Sequence, residues 1–143
     1  MSESSKIYRK LQQHLDTLPV GFPSTVSGIE IKVLEHLFTP EEAQMALNLN
    51  TIPKKARQVY KKVKKLNFSR QEVEKHLDNM DRNGAIYGIK KGNRIYYKNQ
   101  ILAVGMYEYQ VKQVSKEFME AMVQYLDEDF ARELTILALT KHE

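Results

Sequence analysis

The residues best able to do chemistry are lysines and arginines crowded into one third of the chain. Residues 54–98 hold fourteen of the 22 Lys+Arg and four of the 18 Asp+Glu, a local net of +10 in a chain of net charge +4. The remaining residues hold eight bases against fourteen acids, a net of −6. Cationic side chains at that density favour phosphate oxygens or carboxylates. The charges divide unevenly within the block. A helix expected over 53–65 carries Lys54, Lys55, Arg57, Lys61, Lys62, Lys64 and Lys65 and no acid. A hairpin carries Lys90, Lys91, Arg94 and Lys98. The helix between them, over 69–83, sets Arg70, Lys75 and Arg82 against Glu72, Glu74, Asp78 and Asp81. Outward Arg, Gln and Asn side chains can read base edges, which adds Gln71 and Asn79. The candidate contact set is therefore Lys54, Lys55, Arg57, Lys61, Lys62, Lys65, Arg70, Gln71, Lys75, Asn79, Arg82, Lys90, Lys91 and Arg94. The competing reading is a solvated helix face, since lysine favours both helix and solubility.

Other chemistry finds little support. The sequence has no cysteine, which excludes disulfides, thiolate catalysis and cysteine-held metal or iron–sulfur sites in this polypeptide. His14, His36, His76 and His142 lie far apart and none sits at a metal-ligand spacing. There is no Gly-rich phosphate loop, no Gly-x-Ser-x-Gly and no His-Glu-x-x-His. The acidic pair Glu41/Glu42 is explained by a helix start. An enzyme is not expected, nor a cofactor in this chain. Five tyrosines, Tyr87, Tyr96, Tyr97, Tyr107 and Tyr109, gather at and after the hairpin. Tyr96 and Tyr97 must point to opposite faces of a strand, so one of them can stack on a base or a partner ring. Cross-strand packing is the favoured reading of these rings.

The elements that position these groups follow from periodicity and capping. Ile7, Leu11, Leu15 and Leu18 share one face of a helix over about 5–18, which Pro19, Gly21 and Pro23 end. Ser27-Gly28-Ile29-Glu30 reads as a capping box before a helix with Ile29, Val33, Leu34 and Leu37 inward. Thr39-Pro40-Glu41-Glu42 starts a short third helix, with Ala43, Ala46 and Leu47 inward. The lysine-rich helix turns in Ala56, Val59, Tyr60 and Val63. Ser69-Arg70-Gln71-Glu72 is a further capping box, and its helix turns in Val73, Leu77 and Met80 until Asn83-Gly84 stops it. The period then changes to that of strands over 85–90 and 94–98, joined by Lys91-Gly92-Asn93. Ile101 to Tyr109 is ambiguous between strand and loop. Ser115 is placed as the cap of a helix over 116–127, with Phe118, Met119, Met122 and Tyr125/Leu126 inward, and a short helix is expected over 129–140.

Two helices with a short connection, followed by a hairpin, is the order of a winged helix-turn-helix. The expected fold is mainly α with a small β-hairpin. A winged helix-turn-helix core over 39–98 is flanked by N-terminal helices (1–38) and by a C-terminal connection and helices (99–143), all in one domain of 143 residues. The second helix of the pair normally enters the major groove. Its outward face sums to only +1, so the charge favours phosphate contact by the first helix and the wing over specific readout.

Several segments carry a family resemblance. Leu18 to Pro23, Ser27 to Glu30, Leu37 to Ala43, Met80 to Gly84 and Gly105 to Gln110 stand in the order found in the N-terminal region of bacterial and archaeal 4Fe-4S ferredoxin-type proteins, and the chain resembles that family over about 8–133. The resemblance implies a downstream segment whose Cys-x-x-Cys groups hold the clusters. This chain lacks every one of those cysteines, so it is expected to be an excised domain or a relative without the cluster, and no electron-transfer residue carries over. Two partners follow: nucleic acid, through DNA phosphates, or alternatively an acidic redox protein or the adjoining cluster domain. A homodimer through the terminal helices is a further possibility. No apolar run approaches the length of a membrane span. No signal-peptide core stands at the N-terminus, so the expected location is the cytoplasm.

Overall fold

The computed structural model describes residues 3–19 and 21–100, together with positions 117, 120, 121, 123–125, 127 and 128. Their order is α1 (Glu3–Asp16), α2 (Ile29–Leu37), α3 (Pro40–Ala46), β1 (Lys54–Lys55), α4 (Ala56–Val63), a 3₁₀ turn (Lys64–Leu66), α5 (Arg70–Arg82), β2 (Ile86–Lys91) and β3 (Arg94–Asn99). The fold is mainly helical with one small antiparallel sheet of three strands in the order β1-β3-β2.

Of the three expected caps that fall on described residues, those at Thr39 and Ser69 form as the sequence dictates. Thr39 Oγ1 accepts from the Glu42 amide and Glu42 Oε1 accepts from the Thr39 amide, both at 3.1 Å. Ser69 and Glu72 make the same exchange at 3.1 and 2.9 Å. The Ser69 amide, and after it the Ser69 side chain, draws the Glu72 carboxyl below its ordinary pKa. Each exchange satisfies two amides, one at the N-cap itself and one left without a partner inside the helix.

The third expected cap forms only in part. Gly28 is the N-cap of α2 and provides no side chain, but Ser27 Oγ accepts from the first-turn amide of Ile29 at 3.3 Å, as expected, while Glu30 does not reach back. Glu30 is buried, where its Oε2 accepts from Arg9 at 2.8 Å and its Oε1 accepts from the Thr25 hydroxyl at 2.7 Å. The sequence pattern matches a cap, but burial beside α1 gives the carboxylate stronger partners than its own N-cap amide.

Other boundaries shift for local reasons. α1 ends at Asp16, so Leu18 lies beyond the helix and is half-buried. In α3, Met45 is buried and Leu47 only half-buried, because Leu47 is already the C-cap. The lysine-rich helix starts at Ala56 rather than 53. Lys54 and Lys55 form β1 instead, pairing with Tyr97 and Tyr96 of β3. Pro53 disfavours helix at the residue before it and donates no hydrogen bond. Pairing with β3 then decides the conformation of the two lysines.

The core joins both halves. α1 packs on α2 and α3, α3 on α5, α4 on α5, and α5 on β2. Leu11, Val33, Leu34, Ala43, Val59, Val63, Val73, Leu77 and Met80 are fully enclosed. Asn67, at φ +68°, turns the chain from the 3₁₀ segment into α5, a left-handed conformation that Asn tolerates better than most residues. Gly84 follows α5 at φ +81°, as the stop signal requires. Tyr125 reaches back to the α1–α2 loop, its ring 4.8 Å from that of Phe22. Positions 117, 120, 121, 123–125, 127 and 128 are helical, and Ala121 and Tyr125 are buried. The Ser115 cap, the inward placement of Phe118, Met119, Met122 and Leu126, the 101–109 segment and the 129–140 helix lie outside the described residues.

Candidate nucleic-acid interface

The hairpin fixes the geometry of the basic region. β2 and β3 pair in register from Ile86↔Asn99 to Lys91↔Arg94, so paired side chains share a face of the sheet. Tyr97, Ile86 and Asn99 are buried on the inner face against the helices. Gly88 is also on that face, and its amide donates to Asp81 Oδ1 of α5 at 2.9 Å. A Cβ at Gly88 would lie 2.6 Å from Asp81 Oδ2, so any larger residue there must displace that carboxylate. Burial raises the Tyr97 hydroxyl pKa, and the carboxylates Asp78, Asp81 and Glu74 of α5 raise it further.

At the hairpin tip, β1, the N-termini of α4 and α5, and the turn surround an open cleft of about 620 Å³. Its charged lining is Lys55, Arg57, Arg70, Arg94 and a single carboxylate, Glu74. Glu74 Oε1 lies 3.4 Å from Arg70 Nε, one helical turn away, so that carboxylate is already engaged. Lys55, Arg57 and Arg94 have no ion pair among the described residues. Four predicted contact residues from three separate parts of the sequence thus converge. Asn93 of the turn lines the same cleft, and charge counting gave no reason to select it.

The rest of the predicted set is dispersed. Lys61, Lys62 and Lys65 are exposed at the C-terminal end of α4 and on the 3₁₀ turn that follows. Cations there also complement the helix dipole, which is a structural reason for their presence. Lys54 is turned away from the cleft: its Nζ donates to Asn50 Oδ1 at 3.0 Å. It belongs to the sheet's link with the 50–53 segment rather than to the free cations. Gln71, Lys75 and Asn79 are exposed on α5. Arg82 is exposed but paired with Asp78 at 3.0 Å. Three of the four acids of α5 thus have partners beyond the helix cap. Asp78 and Glu74 each hold an arginine, and Asp81 accepts from β2. Lys90 is exposed on the edge strand β2.

On the outer sheet face, Lys55 and Lys91 each bring Nζ to 5.9 Å from the Tyr96 ring centre, and Lys98 lies 5.5 Å from that of Tyr87. These distances allow cation–π attraction. Tyr97 takes the core-facing side and Tyr96 the other, as strand alternation requires. Tyr107 and Tyr109 lie outside the described residues.

His14 and His76 serve contacts within the fold, and His142 lies outside the described residues. His14 Nε2–H donates to the Leu49 carbonyl at 2.6 Å and to Asn99 Oδ1 at 3.0 Å. His76 Nδ1 lies 3.2 Å from Glu42 Oε2, linking α5 to α3. Among the described residues no group of three or more His, Cys, Asp or Glu is placed to hold a metal ion, and no helix is long and apolar enough to cross a membrane. Comparison with family models, with curated proteins and with solved structures gives no match.

Proposed function

We propose that this chain is a non-enzymatic binding module of winged helix-turn-helix type that contacts DNA phosphates through the cleft at the hairpin tip. The observation that carries the reading is the convergence of Lys55, Arg57, Arg70 and Arg94 on one open cleft whose single carboxylate is already taken by Arg70. The element order helix, strand, helix, helix, strand, strand and the sheet order β1-β3-β2 support the fold part of the proposal. The ion pairs along α5 favour phosphate contact over base readout. Arg70 and Arg82 are each held through Nε by Glu74 and Asp78, whose negative charge offsets theirs where the second helix would face the bases.

The resemblance to ferredoxin-type proteins supplies a second reading, in which the same cleft docks an acidic redox protein or an adjoining 4Fe-4S domain. The neutralised α5 favours it too, since such a partner needs charge and no base contacts. The two separate in a titration of a fluorescent random-sequence duplex at about 50 mM salt, where several phosphate contacts give measurable affinity. Binding that weakens with salt and with Arg57→Glu/Arg94→Glu supports DNA. Absence of duplex binding, with complex formation to a small acidic ferredoxin, supports the second reading and rejects the first. The triple variant Lys61→Glu/Lys62→Glu/Lys65→Glu tells whether the α4 terminus adds to the cleft. Unchanged affinity there would assign those lysines to the helix dipole and to solubility.

A further inference from the structure

The outer face of the sheet is chemically different from the cleft. Its side chains come from alternate positions of the three strands. The pairs Tyr87↔Lys98, Lys55↔Tyr96 and Lys91↔Arg94 place two aromatic rings and four cations on one side, with no carboxylate among these strand residues. α5 packs against the opposite side. Tyr87 is 38% exposed, which leaves ring surface for a ligand. Tyr96 is half-buried, its accessible face bordered by Lys55 and Lys91.

We propose that this face binds single-stranded DNA, with Tyr87 and Tyr96 as base-stacking platforms and the surrounding lysines as phosphate contacts. The proposal rests on the nucleic-acid reading above and extends it from duplex phosphates to unpaired bases. Tyr87 and Tyr96 are diagonal neighbours on β2 and β3, a placement about 7–8 Å apart. That is about twice the 3.4 Å rise per base along one strand of a duplex. The two side chains therefore leave the sheet from backbone positions spaced for two unstacked bases, one to each ring. A stacked duplex cannot present its base faces to a protein surface, whereas a single strand can. The cations over the rings fit the same picture. A phosphate backbone beside the face draws Lys55, Lys91 and Lys98 outward to its oxygens, which frees the ring faces for bases. Arg94 and Lys55 border both this face and the cleft, so a strand leaving a duplex bound at the tip would meet the rings next.

The test compares a labelled twelve-residue oligothymidine, its ribouridine counterpart and a random duplex on the full chain. The variants are Tyr87→Leu, Tyr96→Leu and Tyr96→Phe, each first checked for parental helix content by circular dichroism. Loss of one stacking ring is expected to weaken oligothymidine binding about 5- to 150-fold. Tyr96→Phe should restore it, because stacking uses the ring and not the hydroxyl. Duplex affinity should stay within about twofold of the parent in all three variants. Tyr87 is exposed, so Tyr87→Leu keeps the test valid even if Tyr96→Leu unfolds. Parental oligothymidine binding by Tyr87→Leu and by any folded Tyr96 variant would overturn the stacking role. A tenfold preference for the ribose strand would overturn DNA as the occupant. Duplex binding without single-strand binding rejects this inference and leaves the phosphate reading standing. Loss of both rejects the two together.

Discussion

Arg9 in the N-terminal helices and Arg57 at the start of α4 carry the same guanidinium in opposite settings. Arg9 donates to Gln12 at 2.9 Å and to the fully buried Glu30 at 2.8 Å. Glu30 in turn holds the Thr25 hydroxyl and amide, and Gln12 donates to the Phe22 carbonyl. One charge pair thus ties α1 to the loop and to α2. Arg57 is exposed, has no ion pair among the described residues, and looks into a cleft shared with Arg94 and Lys55. The comparison extends to the two halves. In α1–α3 the polar groups turn inward: Tyr8 donates to the Phe38 carbonyl and His14 bridges Leu49 to Asn99. In the α4–β3 half the helices are anchored by Val59, Val63, Val73, Leu77 and Met80, and the cations turn outward. Buried polar chemistry ties the first half together, whereas in the second half Lys55, Arg57 and Arg94 have no ion pair among the described residues; under the proposed function, substitutions should separate stability from binding along this line.

The largest stability effect should come from Glu30→Ala. It strands a partly buried guanidinium and the Thr25 donors, and breaking a buried pair costs about 3 kcal/mol. Urea denaturation measures it, and a loss below about 1 kcal/mol would erase the contrast between the halves. The same group sets a pH dependence. Burial opposes the charged form of Glu30, but the hydroxyl of Thr25, the Arg9 guanidinium and backbone amides outweigh it, so its pKa falls below the ordinary 4.5. The stability it contributes is therefore fully present above about pH 4.5 and is lost as pH falls through the lowered folded value. Glu30→Gln should flatten that acid limb.

Gly88→Ala should cost about 1–3 kcal/mol, because the new methyl meets the Asp81 carboxylate and pushes it off the β2 amide. This substitution lies in the α4–β3 half, yet it acts on the contact between α5 and β2 and should lower stability more than it alters the cleft. Ser69→Ala should cost about 1 kcal/mol through loss of the α5 cap. The smallest stability effect is expected for Arg57→Glu and Arg94→Glu, within about 0.5 kcal/mol by thermal melting, as both side chains are exposed. A larger loss would mean that the cleft cations hold the fold together after all.

Much of this contrast is legible in the sequence, and the exceptions have physical causes. Thr39 and Ser69 are readable as caps because capping is local: the partners lie three residues away and no tertiary contact competes. The Val73, Leu77 and Met80 stripe is readable for the same reason. β1 is not, since Lys54-Lys55 has no strand propensity of its own and is extended only because β3 lies beside it. The role of Glu30 is hidden because its pattern fits a cap while its real partner, Arg9, is 21 residues away. On α5, the spacing of Arg70 with Glu74 and of Asp78 with Arg82 is visible throughout, and it marks ion pairs where a count of charges gives an unpartnered face. The block of cations is visible as a sum. Its division into a cleft set, a sheet-face set and the Asn50-bound Lys54 needs the antiparallel register and the position of the hairpin tip.

If the cleft cations are kept free for phosphates, the salt dependence of duplex affinity must depend on them. That dependence is best measured side by side for the parent chain and for Arg57→Glu/Arg94→Glu. For the parent, log K should fall linearly with log salt. In the variant the slope should shrink by about 2, near 0.9 for each phosphate that the protein no longer neutralises. An identical slope in the two proteins, or no duplex binding by the parent at about 50 mM salt, would show that these cations serve something other than DNA phosphates.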